Sequence, residues 1–412
     1  VVIQIENISK YLILNSLSNY IIMKRICICL IVLMGILSQL NAQEQLKKST
    51  NIPRPNDAIF KQQVEYKNPG KSGKNVFWNF GELNAINKKY NIRYRSQGIT
   101  ADSIVGTEHQ TNYYYHFHGD SLLLAGYENQ TTVMNFFHPE LLLRFPVTYG
   151  DSIGSYYYGT GKYCGKFDMR SCGSSKSVAD SYGMLILPTG DTLCHVIRVH
   201  TLKLISEKTK FMSESDTLCS DSSVMDNLLI KAIQQCLAND SVTLMVDTYK
   251  WYAAGYRYPI FETVTTGNLR DNGKLPYFST AFYYPPTDHE YLDNDEENKK
   301  IQERLRSEVS NNDENGNKDS KNPILDDLAF LYNFYPNPVH TTLEFEYYLS
   351  REAVICYELY TLSGMLVYKT NPEKIRGGAH EHQIDMSQYA NGVYILRVRM
   401  NENIYSEKII KK

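Results

Sequence analysis

Residues 112–129 read NYYYHFHGDSLLLAGYEN. A serine nucleophile at Ser121, following a buried strand, would make this an α/β fold. A turn at Gly119-Asp120-Ser121 between two strands makes it β. The runs on either side are short, aromatic or aliphatic, and free of helical spacing. The triplet also recurs as Gly150-Asp151-Ser152 and Gly190-Asp191-Thr192. Those copies lie in ELLLRFPVTYGDSIGSYYYGTGKY (140–163) and SYGMLILPTGDTLCHVIRVHTLKLI (181–205), again between strand-like runs. Gly supplies positive φ, and Asp or Ser bonds back to local amides. A hydrolase site would also need a base and oxyanion donors. The nearest His-Pro, in NFFHP (135–139), has Asn135 where an Asp is required. The triplets therefore read as turns, and the fold as mainly β.

Tyrosine is abundant, 33 copies against 2 tryptophans, which favours strands. The net charge of −2 leaves no basic stripe for nucleic acid, and none is expected as a partner. The first Met is Met23, followed by Lys24-Arg25, then ICICLIVLMGILSQL (26–40) and LNAQ (40–43). That order gives a signal peptide over 23–42, cleaved between Ala42 and Gln43, with 1–22 belonging to a start assigned too far upstream.

Residues 43–285 form one β-rich, sandwich-like domain of unknown function by this reading. Within it Leu228, Leu229, Ala232, Ile233, Cys236 and Leu237 repeat at helical spacing. Residues 286–324, rich in Asp, Glu, Asn and Lys, read as a disordered, flexible polar linker with at most a helical turn or two. Strand patterning returns over 325–412 as a small Ig-like β-sandwich. An exported chain meets an oxidising compartment, and CGKFDMRSC (164–172) offers Cys164 and Cys172 as a disulfide pair.

The C-terminal segment contains FYPNPVHTTLEFEYYL (334–349), YELYTLSGMLVYK (357–369) and IDMSQYANGVYILRVRMNENIYSEKIIKK (384–412). It resembles the C-terminal sorting domain of type IX secretion cargo. The matching residues are Pro336, Asn337 and Pro338, then Leu359, Tyr360 and Gly364, then Gly392, Val393 and Tyr394, with a basic last strand carrying Lys408 and Lys411. Thr361 stands where the family usually carries Asp or Asn. The resemblance implies export across both membranes by the type IX machinery, to the outer face of the outer membrane or the medium. It also implies frequent removal of the domain, with release or attachment to surface lipopolysaccharide. PRPNDAIFKQQVEYKNPGKSGKNVFWNF (53–80), LLLRFPVTYGDSI (141–153) and YKWYAAGYRYPIFE (249–262) resemble an uncharacterised cargo domain of the same bacteria, to which no activity attaches.

Asp-Ser/Thr followed by a methyl-bearing residue occurs at Ser103, Ser121, Ser152, Thr192, Thr217 and Ser241. This is similar to the O-glycosylation sequon of that bacterial group, which makes the six hydroxyls candidate modification sites. Trp251, Tyr252, Tyr256 and Tyr258 are a candidate aromatic binding surface. No catalytic residue, metal site or cofactor is expected. The expected function is that of an exported surface or released protein that binds or adheres to a glycan or protein. The alternative is a secreted hydrolase acting on glycans or esters.

Overall fold

The computed structural model describes residues 45–98, 102–211, 227–271, 276–314 and 330–412. The expected leader over 23–42, its cleavage site at Ala42 and Gln43, the segment 1–22 and Thr217 lie outside these residues. No helix among the described residues is long and apolar enough to cross a membrane.

The first domain contains β1 (Gln45–Leu46), β2 (Ala58–Val64), β3 (Gly73–Asn79), β4 (Ala85–Ser96) and β5 (Ser103–Glu108). There follow β6 (Thr111–His118), β7 (Ser121–Glu128), β8 (Thr132–Arg144), β9 (Val147–Thr148) and β10 (Ser152–Tyr163). The last are β11 (Phe167–Ile186), β12 (Thr192–Phe211), β13 (Leu244–Ala253), β14 (Phe261–Asn268) and β15 (Phe278–Tyr283). Its helices are α1 (Lys48–Asn51), α2 (Asn227–Asn239) and α3 (Glu296–Glu314).

The main sheet runs β10-β8-β7-β6-β5-β4-β2-β15-β14-β13-β12-β11, and β11 then pairs with β10. The strands thus form a closed antiparallel ring, a solution that removes sheet edges. β3 lies outside the ring, parallel to the far end of β11. Contacts across the interior show that the ring is flattened into two facing layers. Tyr127 on β7 donates to Glu207 on β12 at 3.2 Å, and Leu122 shares a buried cluster with Val199 and Tyr252. The sandwich-like expectation describes this packing.

Alternation fills the interior. On β8 Thr132, Met134, Phe136, His138 and Glu140 are buried, while Val133 and Phe137 are exposed. Charged groups inside are paired, as burial demands. Lys203 meets Glu140 at 2.5 Å, Lys250 meets Glu262 at 3.5 Å, and Lys61 meets Glu108. Burial alone would raise the Glu262 pKa, but Lys250, Lys61 and the Tyr284 hydroxyl hold it below the ordinary value.

The aromatic surface expected at Trp251, Tyr252, Tyr256 and Tyr258 is corrected. Trp251, Tyr252 and Tyr258 are buried and Tyr256 is half-buried. The reason is that β13 is covered on both faces. Tyr252 points into the ring, while β3 and the residues after it lay Trp78 and Phe80 edge-on against Trp251.

One end of the ring is plugged by the segment before β2 and the residues after β15. Leu46 packs with Leu122, Phe145 and Tyr252. Tyr291 packs with Ile59, Tyr258 and Tyr284. Arg257 forks onto Asp295 at 2.7 and 2.9 Å and donates to Ser49 O and Ile52 O. The linker expected to begin at 286 is therefore corrected: residues 289, 291, 295 and 298 are buried parts of the first domain. The polar composition that suggested disorder instead supplies the carboxylate and amide that satisfy Arg257 and α1. Residues 315–329, the core of that linker, lie outside the described residues.

The expected helix is α2, whose Ile233 and Leu237 pack on β10–β12 beside Cys172. The Cys164–Cys172 pair is also corrected. Both are free thiols, Cys164 exposed and Cys172 buried. Cys164 sits in the turn beyond the Tyr163–Phe167 pair, whereas Cys172 lies opposite Tyr158. Five strand positions at about 3.3 Å each separate Phe167 from Cys172, far beyond the reach of a disulfide.

The second domain has β16 (Phe330–Tyr335), β17 (Thr342–Leu349), β18 (Ala353–Thr361) and β19 (Leu366–Lys369). It continues with β20 (Glu373–Ile375), β21 (Gly378–Asp385), β22 (Gly392–Met400) and β23 (Asn403–Lys411). A sheet β16-β17-β21 faces a sheet β19-β18-β22-β23, with β20 on β18. Phe345, Leu359, Ile384, Leu396 and Ile409 lie fully buried between them. This is the expected small sandwich.

Candidate functional site

The C-terminal motif residues form one structural device. The Asn337 side chain donates to Lys408 O at 2.9 Å and accepts from Ile410 N at 2.8 Å, so the Pro-Asn-Pro turn grips the last strand. Val339 and Ile410, then Lys412 and Val339, continue the grip through the backbone. Pro336 and Pro338 flank Asn337 and donate no amide, leaving its side chain as the polar link. Leu359 is buried, and the Tyr360 hydroxyl donates to Glu358 at 2.8 Å. Gly364 has φ +85° and closes the β18–β19 turn, where the Thr361 hydroxyl meets that of Ser363. Tyr394 donates to Ala390 O at 2.8 Å, fixing the Gly392-Val393-Tyr394 entry to β22. Lys408 lies opposite Ile395, and Lys411, buried in the last strand, donates to Lys412 O. Asn337→Ala removes both side-chain bonds to β23. It is expected to destabilise this domain by about 1–3 kcal/mol, read in its unfolding transition.

This domain docks on β3 and the adjoining end of β11, Leu331 packing with Phe77 and Met184 and Tyr348 lying against Phe77 at 6.0 Å. Charges border the contact. Lys67 meets Glu346 at 2.5 Å, and Lys71 meets Glu407 at 3.0 Å while sitting 3.4 Å over the Tyr332 ring. A cleft of about 640 Å³ remains there, lined by Tyr66, Asp247 and Tyr249 on one side and Tyr335–Pro338 on the other.

A second cavity, about 220 Å³, opens at the end of the ring opposite the plug. Tyr113, Tyr127, Phe136 and Tyr157 line it, with Lys203 and Glu207 at its polar side. Lys203 Nζ lies 4.9 Å over the Tyr157 ring, and Glu207 is exposed at the mouth. The small residues of SCGSSKSVAD make the space: Ser171, Ser175, Ser177 and Ala179 are buried at alternate positions of β11. Gly173 continues that face, and a Cβ there would stand 2.2 Å from the Tyr157 hydroxyl and 2.3 Å from Leu204 O. Gly173→Val is expected to push Tyr157 into the cavity and abolish any ligand binding there, measured by calorimetry. Composition hinted at this cavity only through the alternation of small residues, because its aromatic walls come from β6, β7, β8 and β10.

The Gly-Asp-Ser/Thr triplets are turns. Gly119, Gly150 and Gly190 have φ of +55°, +93° and +89°. Ser121 begins β7 opposite His118 and Arg144. Among the candidate modification sites, Ser152, Thr192 and Ser241 are exposed and Ser121 is half-buried. Ser103 is half-buried, with its hydroxyl 2.7 Å from His116 Nδ1. Among the described residues no group of three His, Cys, Asp or Glu is placed to hold a metal ion.

The C-terminal domain is a two-sheet sandwich clipped at its entry by Pro-Asn-Pro. Residues 333–412 match the family described as the secretion system C-terminal sorting domain. The C-terminal domain belongs to that family, and the chain carrying it is type IX secretion cargo, secreted or delivered to the cell surface. The domain implies a meeting with the type IX machinery. No curated protein matches the chain. Among solved structures the chain is similar to dimeric latent PorU from Porphyromonas gingivalis, at 10% identity with a TM-score of 0.19. That match covers 87% of this chain and 34% of the other, so the chain spans about a third of that protein's length, and a score so low carries no argument.

Proposed function

We propose that this cargo is a binding protein whose first domain holds a terminal sugar unit of a glycan in the open end of the flattened ring. The observation that carries this is the cavity between Tyr113, Tyr127 and Tyr157, with Lys203 and Glu207 beside them. Small-ligand sites are concave, largely apolar, and oriented by a few polar groups. Aromatic faces suit the C–H faces of a sugar ring, and the tyrosine hydroxyls, ammonium and carboxylate suit its hydroxyls. The volume fits one such unit. The larger cleft is walled by the sorting residues Pro336, Asn337 and Pro338 and is read as part of the docking of that domain.

The test is calorimetric titration of the native protein with a panel of mono- and oligosaccharides. Binding to at least one sugar, lost in Tyr127→Ala and weakened at least tenfold in Lys203→Met, is expected. No binding by the folded protein at millimolar sugar would overturn the reading. Release of shortened sugar during the titration would instead favour the alternative, a hydrolase. Cleavage of a leader before Gln43, attachment to surface lipopolysaccharide on the outer face of the outer membrane, and sugar on the exposed turns at Ser152, Thr192 and Ser241 belong to the same proposal. Intact-mass and terminal-peptide spectrometry of protein from cell surface and medium reads all three.

A further inference from the structure

Cys172 and Cys236 come from strand and helix, far apart in sequence, yet meet on the outer wall of the ring. Cys172 lies on the outer face of β11, directly opposite Ser206 of β12. The Ser206 hydroxyl is 3.5 Å from Cys236 Sγ, on the inner face of α2. Cys172, Ile233 and Leu237 form one buried cluster, with Cys236, Leu204, Tyr156 and Tyr158 packed on it. A strand ladder and a packed helix thus hold the two thiols side by side, the arrangement a disulfide requires.

We propose that Cys172 and Cys236 are a disulfide site, oxidised once the chain leaves the reducing cytosol, which bolts α2 to the β11–β12 wall. The reaction is thiol–disulfide exchange with an exchangeable disulfide of an oxidising dithiol protein. Cys236, the more accessible thiol, loses its proton and attacks one sulfur of the oxidant, releasing the other as a thiolate. Cys172 then loses its proton, attacks Cys236 Sγ in the mixed disulfide, and releases the second oxidant thiolate. One S–S bond forms in the protein as one breaks in the oxidant; two electrons pass to the oxidant and two protons with them. The order fits the environment. Burial and the hydrogen bond with Cys236 push the Cys172 thiol up to about 12, suiting it to the second, intramolecular step. Arg170 and Lys208 nearby favour its thiolate when it forms.

The bond would close one loop around the segment between β12 and α2, which contains Cys219. That residue gives the proposal its sharpest competitor. The test is alkylation of the native, exported full-length protein without reductant, then proteolysis and mass spectrometry. A cross-linked pair of peptides carrying Cys172 and Cys236, about 2 Da lighter than the sum of its thiol forms and split by dithiothreitol, is expected. Two alkylated thiols at Cys172 and Cys236, or a bond from either to Cys164, Cys194 or Cys219, overturns it. A second measurement is thermal unfolding with and without reductant. Wild type loses several degrees on reduction, whereas Cys236→Ser does not respond. An equal response in both variants also overturns the proposal.

Discussion

Replacing Arg198 with Met is expected to destabilise the protein by about 3–5 kcal/mol and to loosen the sorting domain from β3. Arg198 is almost fully buried and forks onto Asp180 through Nε and Nη2, both at 2.8 Å. Its remaining donors reach the carbonyls of Pro69 at 2.5 Å and Lys71 at 3.0 Å. The guanidinium also lies 4.9 Å from the Tyr249 ring centre. One cation therefore fixes the turn that presents Lys71. From that turn the Lys71 amide donates to Asn333 at 2.8 Å, and its ammonium meets Glu407. Methionine fills the volume but strips Asp180 of its counter-charge, leaving it the Ser181 hydroxyl at 3.0 Å, and takes one donor from the carbonyl of Lys71 and one from that of Pro69, which keeps the Trp78 indole N–H at 3.2 Å. Arg198→Lys restores charge without the planar fork and is expected to recover less than half of the loss. Denaturant unfolding followed by probes in each domain reads both effects. A stability within 1 kcal/mol of wild type, as for an ordinary surface substitution, would show that Arg198 does not organise this turn.

The second large effect is a loss of stability on mild acidification, centred on His289. Its ring is buried, its Nδ1 lies 3.2 Å from the Tyr291 hydroxyl, and its Nε2 has no partner among the described residues. Burial lowers its pKa to about 4. The unfolded chain takes up the proton near pH 6.5, while the folded chain refuses it until about pH 4. Between those values the unfolded state binds more protons, so stability falls as pH falls, by about 3 kcal/mol in all. Below that window Asp295 and Glu262, held below their ordinary values by Arg257 and by Lys250 respectively against the opposing pull of burial, add a further loss. His289→Phe is expected to flatten the curve from pH 6.5 to 4 and keep the steeper limb below it. An unchanged slope in that variant would assign the acid sensitivity to the carboxylates alone.

Much of this architecture is legible in the sequence where the signal is local. Gly119, Gly150 and Gly190 mark turns because only the turn chemistry repeats. Leu229, Ile233 and Leu237 mark α2 because one face must be apolar. The Pro-Asn-Pro entry and the alternation of β22 identify the last domain. What sequence reasoning missed is what two distant segments decide together. Trp251 and Tyr252 look like a half-exposed strand pair until β3 covers the outer face. Asp295 and Asn298 look like linker polarity until Arg257 is found buried beside them. Cys172 looks like the partner of its neighbour in sequence, since nothing local names Cys236. The cavity walls are assembled from four strands whose order around the ring no single segment encodes.

The ring closes through two joints of unequal strength. β10 and β11 are a hairpin with a register from Ser152–Val178 to Tyr163–Phe167. β2 and β15 share only Val64–Ala281, Gln63–Phe282 and Gln62–Tyr283. The first joint links strands adjacent in sequence. The second must wait for a strand made more than two hundred residues later. Until then the chain carries an open curved sheet with two unsatisfied edges, the state most prone to pairing with a neighbour. The final stitch of the ring uses its last strand, so closure needs the whole run from β2 to β15 to be present in the compartment where the chain folds.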